Sequence, residues 1–282
     1  MPGLEKITPQ TKLEADVVII GSGAGGSSVA DVLTKAGLDV IMLEEGPSVP
    51  AEEAPETSAK AFSVAWRHAG LTAALGKPPV AYGEGRCVGG GTEINAAIFQ
   101  RTPDELLEDW AKRFKIDQFS AAAMKPYYDR ATQVVNASLT PGAPGRPTDI
   151  LVEAGNAMGW KTSMLERSQR DCVGTNACTT VCPTGGKQSM TRTLIPQALS
   201  RGLRLFPDVR VNKIRIENGR ATGVEAQDRK GSARYFFRAQ HVFVCAGAIQ
   251  TLALLKRSGL GGNIGKTLQM HPTFKVIAEF DE

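Results

Sequence analysis

Apolar and polar positions alternate along this chain with two periods, and the change between them marks its first elements. Ala15-Asp-Val-Val-Ile-Ile20 is a short apolar run rich in β-branched residues, which predicts a buried strand. Gly21-Ser-Gly-Ala-Gly-Gly26 follows at once, then a helical stretch to Lys35 that Gly37 stops. A second apolar run, Leu38 to Leu43, predicts the next strand of a parallel pair. Further on, Thr102-Pro-Asp-Glu105 reads as a capping box with Thr102 as N-cap. It opens an amphipathic helix that carries Leu106, Leu107, Trp110 and Phe114. Val209 to Glu217, Asn218-Gly219 and Arg220 to Gln227 predict a hairpin with a type I′ turn, and Asp228-Arg-Lys-Gly231 turns into a third strand. The apolar run Val242 to Ala246, ending at Gly247 and a helix, predicts a late return to the parallel sheet. The class expected is therefore α/β, a Rossmann-like parallel sheet with a β-meander, a helical insertion and a cysteine-rich loop.

The glycine turn carries the first chemistry. Gly21 is expected to make the tight turn, Gly23 to let the backbone approach a pyrophosphate, and Gly26 to let helix and strand pack closely. The helix N-terminus then faces the phosphate charge. Glu44, at the end of the second strand and about 20 positions beyond Gly21, stands where an acid accepts from the adenosine ribose hydroxyls. Strand, turn, helix and acid together predict a dinucleotide site, without separating NAD from FAD.

A second glycine-dense loop bears on that choice. Gly85-Arg-Cys-Val-Gly-Gly-Gly-Thr-Glu-Ile-Asn95, followed by Phe99, resembles the first signature of the glucose/methanol/choline (GMC) oxidoreductases, flavoenzymes that oxidise alcohols with FAD. Gly247-Ala-Ile-Gln-Thr251 through Leu254-Leu255 to Ser258-Gly259-Leu260-Gly261 resembles the second. Each departs at one position, Thr102 and Leu252. The resemblance implies FAD as cofactor, with Arg86, Gly90, Thr92, Asn95 and Ala96 along the flavin and pyrophosphate. It also implies that Val211 meets the adenine through its backbone and that Ala246 lies by the nucleotide.

Cys172, Cys178 and Cys182, spaced C-x5-C-x3-C-P, are three of five cysteines. Three readings compete: thiolate ligands of a three-iron, four-sulfide cluster, a zinc site, or unmetallated cysteines. Zinc would want a fourth ligand, and His68, His241 and His271 all lie far from the loop in sequence. The spacing resembles that of GMC dehydrogenases that pass electrons through a 3Fe-4S cluster to a cytochrome partner, while Pro183 to Met190 resembles relatives acting on long-chain or hydrophobic alcohols. Cys245, inside an apolar strand, reads as a small hydrophobe, Cys87 beside Arg86 as structural, and His241 and His271 as structural.

Charge adds little. The net charge of +4, from 33 basic and 29 acidic residues without a basic run, points to no nucleic-acid partner. No stretch reaches the about 18 apolar residues of a membrane span, and Met1 to Ile7 has no apolar core of a leader, so the expected compartment is the cytoplasm. The expected organisation is a FAD-binding part over 12–101, a helical insertion with the cysteine loop over 102–200, a second FAD-binding part over 201–272, and the start of a substrate domain over 273–282. Because the chain stops within an apparent strand, Thr273 to Phe280, the expectation is an N-terminal half without the catalytic His that the resemblance places further on. The parent would move hydride from an alcohol to FAD and onward through the cluster to an external acceptor. The alternatives are a non-catalytic FAD-binding or electron-transfer piece whose base lies elsewhere, and an NAD-dependent enzyme with structural zinc.

Overall fold

The computed structural model describes residues 3–269 together with 277 and 279. The expectations for His271 and for a strand over Thr273 to Phe280 lie outside the described residues. In chain order the elements are β1 (Glu14–Ile20), α1 (Ala24–Lys35), β2 (Val40–Leu43), α2 (Ser58–Ala65), β3 (Thr72–Ala74), β4 (Val80–Tyr82) and α3 (Gly91–Ile94). Then come α4 (Asp104–Phe114), α5 (Ala121–Val134), β5 (Ala137–Ser138), α6 (Arg146–Ala157), β6 (Arg167–Ser168), α7 (Leu194–Ser200), β7 (Arg204–Phe206), β8 (Val209–Glu217), β9 (Arg220–Asp228), β10 (Arg234–Val244) and α8 (Gly247–Arg257).

Six strands form one sheet in the order β7-β2-β1-β10-β9-β8. β1 pairs in parallel with β2 on one side and β10 on the other, and β2 with β7. The apolar runs of β1 and β2 are continuous because both faces are covered. Val17, Ile19, Val40 and Met42 point to one face, where Ile195 and Ala198 of α7 and Ala30 of α1 pack. Val18, Ile20, Ile41 and Leu43 point to the other, where Phe206, Phe237, Ile214, Val224 and Leu254 of α8 close the core. All of these side chains are buried, and each Val, Leu, Ile, Met or Phe among them contributes about 1.5–3 kcal/mol over exposure.

The meander forms as expected, with Asn218 at φ 50° and Gly219 at φ 76° making the turn. One expectation is corrected. The third meander strand and the late parallel strand are a single strand, β10. Its first half, Arg234 to Arg238, pairs antiparallel with β9, and its second half, from Arg238 to Val244, runs parallel to β1. One extended segment can do both because its two edges bond independently.

The capping box is corrected too. Helix α4 begins at Asp104 after Pro103, whose carbonyl accepts from Leu106 and Leu107, and no side chain caps it. The Thr102 hydroxyl instead accepts from the Tyr128 hydroxyl of α5 at 2.7 Å. Nor does the expected apolar stripe of α4 face the interior. Leu107 and Ala111 are buried, while Leu106, Trp110 and Phe114 are 47%, 40% and 55% exposed, on a stripe about 100° around the helix from Leu107. Among the described residues, no helix is long and apolar enough to cross a membrane.

Candidate functional site

The glycine turn sits at the carboxyl end of β1, beside the end of β10. Gly21 has φ +97°, and a Cβ there would lie 2.4 Å from the Cys245 carbonyl oxygen. A Cβ on Gly26 would lie 1.9 Å from the Gly21 carbonyl oxygen, so only glycine lets α1 pack this closely. Around Gly23 nothing lies within 4 Å of the Cβ position. Gly23 is also the N-cap of α1 and no side chain caps that helix, so its first N–H groups are open for an anion. The tight turn at Gly21 and the close packing at Gly26 agree with the expectation, and Gly23 leaves open space at the helix start.

Ser22, between them, fastens the turn. Its hydroxyl donates to Glu44 Oε2 at 2.7 Å and accepts from the Gly89 N–H at 3.0 Å, while its own N–H donates to Glu44 Oε2 at 3.1 Å. Glu44 Oε1 accepts from the Gly46 N–H at 2.9 Å. A carboxylate has about four acceptor positions, so one is left for a ribose hydroxyl. Burial raises the Glu44 carboxyl above its ordinary range, against the opposing pull of the Ser22 and Gly46 donors.

A second polar group lies beyond Glu44. Arg67, in the short 3-10 segment Arg67–Gly70, donates to both carboxylate oxygens of Glu45 at 3.1 and 2.9 Å. Burial would raise the Glu45 carboxyl, but Arg67, Arg210 and Arg86 outweigh it and hold it low. Glu84 accepts from the Gln250 amide of α8 at 3.1 Å and lies 3.2 Å from Arg67 Nε, which is buried without a hydrogen-bond partner among the described residues. Nothing in the spacing of the sequence marked Ser22, Glu45, Arg67 or Gln250. Ser22 had a signal as the one polar side chain inside the glycine turn, and Gln250 as part of the second GMC-like stretch.

These parts line a groove of about 940 Å³ running from Glu84 and Gln250, past Gly21–Gly25, to Arg210 and Arg257. Of the residues expected at a dinucleotide, Gly21, Gly23, Glu44, Gly90, Val211 and Ala246 line this groove together. Gly26 packs beneath. Arg86, Thr92, Asn95 and Ala96 do not line the groove among the described residues. The Arg86 guanidinium lies 3.9 Å from Glu45, and Thr92 donates to Gly89 and accepts from the Met190 N–H. Asn95 and Ala96 are exposed. The open α1 terminus and the empty space over Gly23 fit a long anionic dinucleotide such as FAD.

The three loop cysteines do not come together as ligands. Among the described residues, no three His, Cys, Asp or Glu side chains are placed to hold a metal ion. Cys178 Sγ lies 3.8 Å from Arg167, and Cys182 Sγ 3.4 Å from the Thr184 hydroxyl. Two of the three thiols thus have a local polar partner among the described residues. Burial would raise the Cys182 thiol, but Thr184 and the N–H groups of Lys187, Thr184 and Gly186 turn it downward. Cys87 is buried and its thiol is pushed well up, first by that burial.

A mixed sheet with a parallel core, a glycine turn at the first strand–helix junction and a meander beside the groove define a dinucleotide-binding α/β fold of the FAD-dependent oxidoreductase kind. A solved pyridoxine 4-oxidase from Mesorbium loti superposes with a TM-score of 0.67 over 88% of this chain and 52% of that one, at 18% identity. Residues 62–273 match the GMC oxidoreductase family, and the chain belongs to that family. It is 58% identical to the uncharacterized GMC-type oxidoreductase y4nJ of Sinorhizobium fredii, over 100% of this chain and 56% of the relative. It is 27% identical to long-chain-alcohol oxidase FAO4A of Arabidopsis thaliana, over 97% of this chain and 38% of the relative. With paromamine 6'-oxidase of Streptomyces fradiae it shares 31%, over 90% and 53%. The chain thus spans about half, or less, of the length of these relatives.

Proposed function

We propose that this chain binds FAD in the groove and serves an enzyme that oxidises an alcohol. The observation that carries the reading is the open, uncapped N-terminus of α1 over Gly23, with Ser22, Glu44 and Gly89 locked around it. FAD, when bound, supplies a ring that takes hydride from the alcohol carbon. The chain's own part is to bind and orient. The α1 N–H groups face the diphosphate, Glu44 offers its remaining lone pair to the ribose, Val211 meets the adenine through its backbone, and the Gly85–Ala96 turn borders the flavin end. The printed activity of the long-chain-alcohol oxidase FAO4A supports an alcohol as substrate.

The cysteine loop is left out of this reading, because its thiols are not placed as ligands, and with it goes the reason to prefer a cytochrome acceptor over oxygen. Iron and sulfide assays on anaerobically purified protein test that exclusion. Stoichiometric iron and sulfide, lost in Cys178→Ser, would restore the cluster and an acceptor protein.

One observation favours a second reading, in which the chain is a cofactor-binding part whose base lies elsewhere: no histidine lines the groove among the described residues. Titration with FAD, followed by anaerobic addition of a panel of primary alcohols, separates the two. Bound flavin that bleaches with an alcohol supports oxidation by this chain. Bound flavin that never bleaches supports the second reading, and failure to bind FAD removes both.

A further inference from the structure

The cysteine loop leaves and rejoins a small laced region. Ser168 N–H donates to the Ala97 carbonyl, Ile98 bridges to Arg167, Gln169 bridges to Lys187, and Gln188 N–H donates to Ser168. Segments 97–98, 167–169 and 186–188 therefore lie side by side, with the loop as an excursion between the second and third. Lys187 reaches back under this ladder. Its side chain is almost fully buried, which is uncommon for lysine without partners. Its Nζ donates to the Asn95 carbonyl at 2.7 Å and to the Cys178 carbonyl at 2.8 Å. Burial lowers its pKa to about 8, against the pull of Glu93, Cys178, Cys182 and Cys87.

The turn it holds needs an anchor. Asn95 closes α3 with its N–H on the Gly91 carbonyl, and its Oδ1 accepts from the Ala97 N–H, where the backbone turns at φ +60°. Both bonds are local, so neither ties the turn to the rest of the molecule. Lys187 ties Asn95 itself to a distant segment, and Thr92, which accepts from the Met190 N–H, and Glu93, which accepts from the Thr191 hydroxyl, tie α3 to the segment beyond Lys187.

We propose that Lys187 is a positioning residue for the flavin end of the cofactor, fixing the Asn95 carbonyl, and with it the Gly85–Ala96 turn, against the cysteine loop. This rests on the reading of the groove as the FAD site with that turn at its flavin end. A residue acting there is felt by FAD but not by ADP, which occupies only the other end of the groove.

The test compares dissociation constants of FAD, by quenching of its fluorescence, and of ADP, by calorimetry, for wild type, Lys187→Met and Lys187→Arg. The expected result is FAD binding weakened on the order of tenfold in Lys187→Met, the worth of a charged hydrogen bond, with ADP binding unchanged and a smaller loss in Lys187→Arg. Equal weakening of both ligands overturns the proposal in favour of general scaffolding, and unchanged FAD binding overturns it outright. If Lys187→Met does not fold, Lys187→Arg decides: a changed ratio of FAD to ADP affinity supports the proposal, and an unchanged ratio overturns it. Wild type that binds neither ligand removes the groove reading, and the inference with it.

Discussion

The Ser22 hydroxyl donates to Glu44 at 2.7 Å and accepts from the Gly89 N–H at 3.0 Å, so one small side chain joins the glycine turn, the end of β2 and the second glycine loop. Ser22→Ala removes the donor from a buried carboxylate and the acceptor from a buried N–H. Losing such contacts costs about 1–3 kcal/mol. FAD affinity, measured by fluorescence quenching, is expected to fall roughly tenfold or more, and an unchanged affinity would mean that the three loops hold their places without Ser22.

Gly26 tests the close approach of α1. An added Cβ would sit 1.9 Å from a backbone oxygen that no rotamer change can move. Gly26→Ala is expected to cost at least about 1–3 kcal/mol of stability, as overpacking does, and to abolish nucleotide binding. Gly25→Ala is the control, since a Cβ there meets nothing nearer than Cys245 at 3.9 Å. Urea unfolding of both variants reads the difference.

Asp31 of α1 is almost fully buried, with Lys35 at 2.8 Å, Arg201 at 2.6 Å and Arg130 at 2.5 Å. Burial alone would raise its carboxyl, but the contacts with Lys35 and Arg201 lower it overall. A carboxyl lowered in the folded state stabilises above its unfolded pKa of about 4 and loses that contribution as pH falls through the folded value. Asp31→Asn is therefore expected to be less stable than wild type by about 1.5–3 kcal/mol near neutral pH, the worth of hydrogen bonds to charged groups. The gap should close only below about pH 4. A constant gap down to acid would assign the loss to shape rather than charge.

Thr102 offers a check on the start of α4. Because its hydroxyl accepts from Tyr128 and caps nothing, Thr102→Val and Tyr128→Phe should each cost about 0.5–1.5 kcal/mol, and together no more than either alone. Additive losses in a double-mutant cycle would return Thr102 to a capping role.

The first βαβ unit was legible because its constraints are local. β-branched runs, a glycine turn and a stop at Gly37 each act within a few residues, and the structure has the tight turn at Gly21 and the close helix packing at Gly26 that their positions suggested. The hairpin at Asn218-Gly219 was legible for the same reason. α4 misled, since a period in the sequence reports that a helix has an apolar stripe and not which neighbour covers it. Leu106, Trp110 and Phe114 follow the pattern and stay exposed. The spacing of the cysteines keeps them in one loop but does not set where a thiol points: Cys178 lies by Arg167 and Cys182 by Thr184.

By itself, then, the sequence determined the α/β class and the glycine turn, because short-range sterics and hydrophobic period decide them, and it carried the resemblance to the GMC family in two glycine-rich stretches. Only the tertiary structure decided that β10 serves two pairings, that Ser22 locks Glu44 to Gly89, and that Lys187 ties Asn95 to Cys178. Those contacts join residues far apart in the chain, and no local preference encodes which buried donor meets which carbonyl until the sheet and its loops have closed around them.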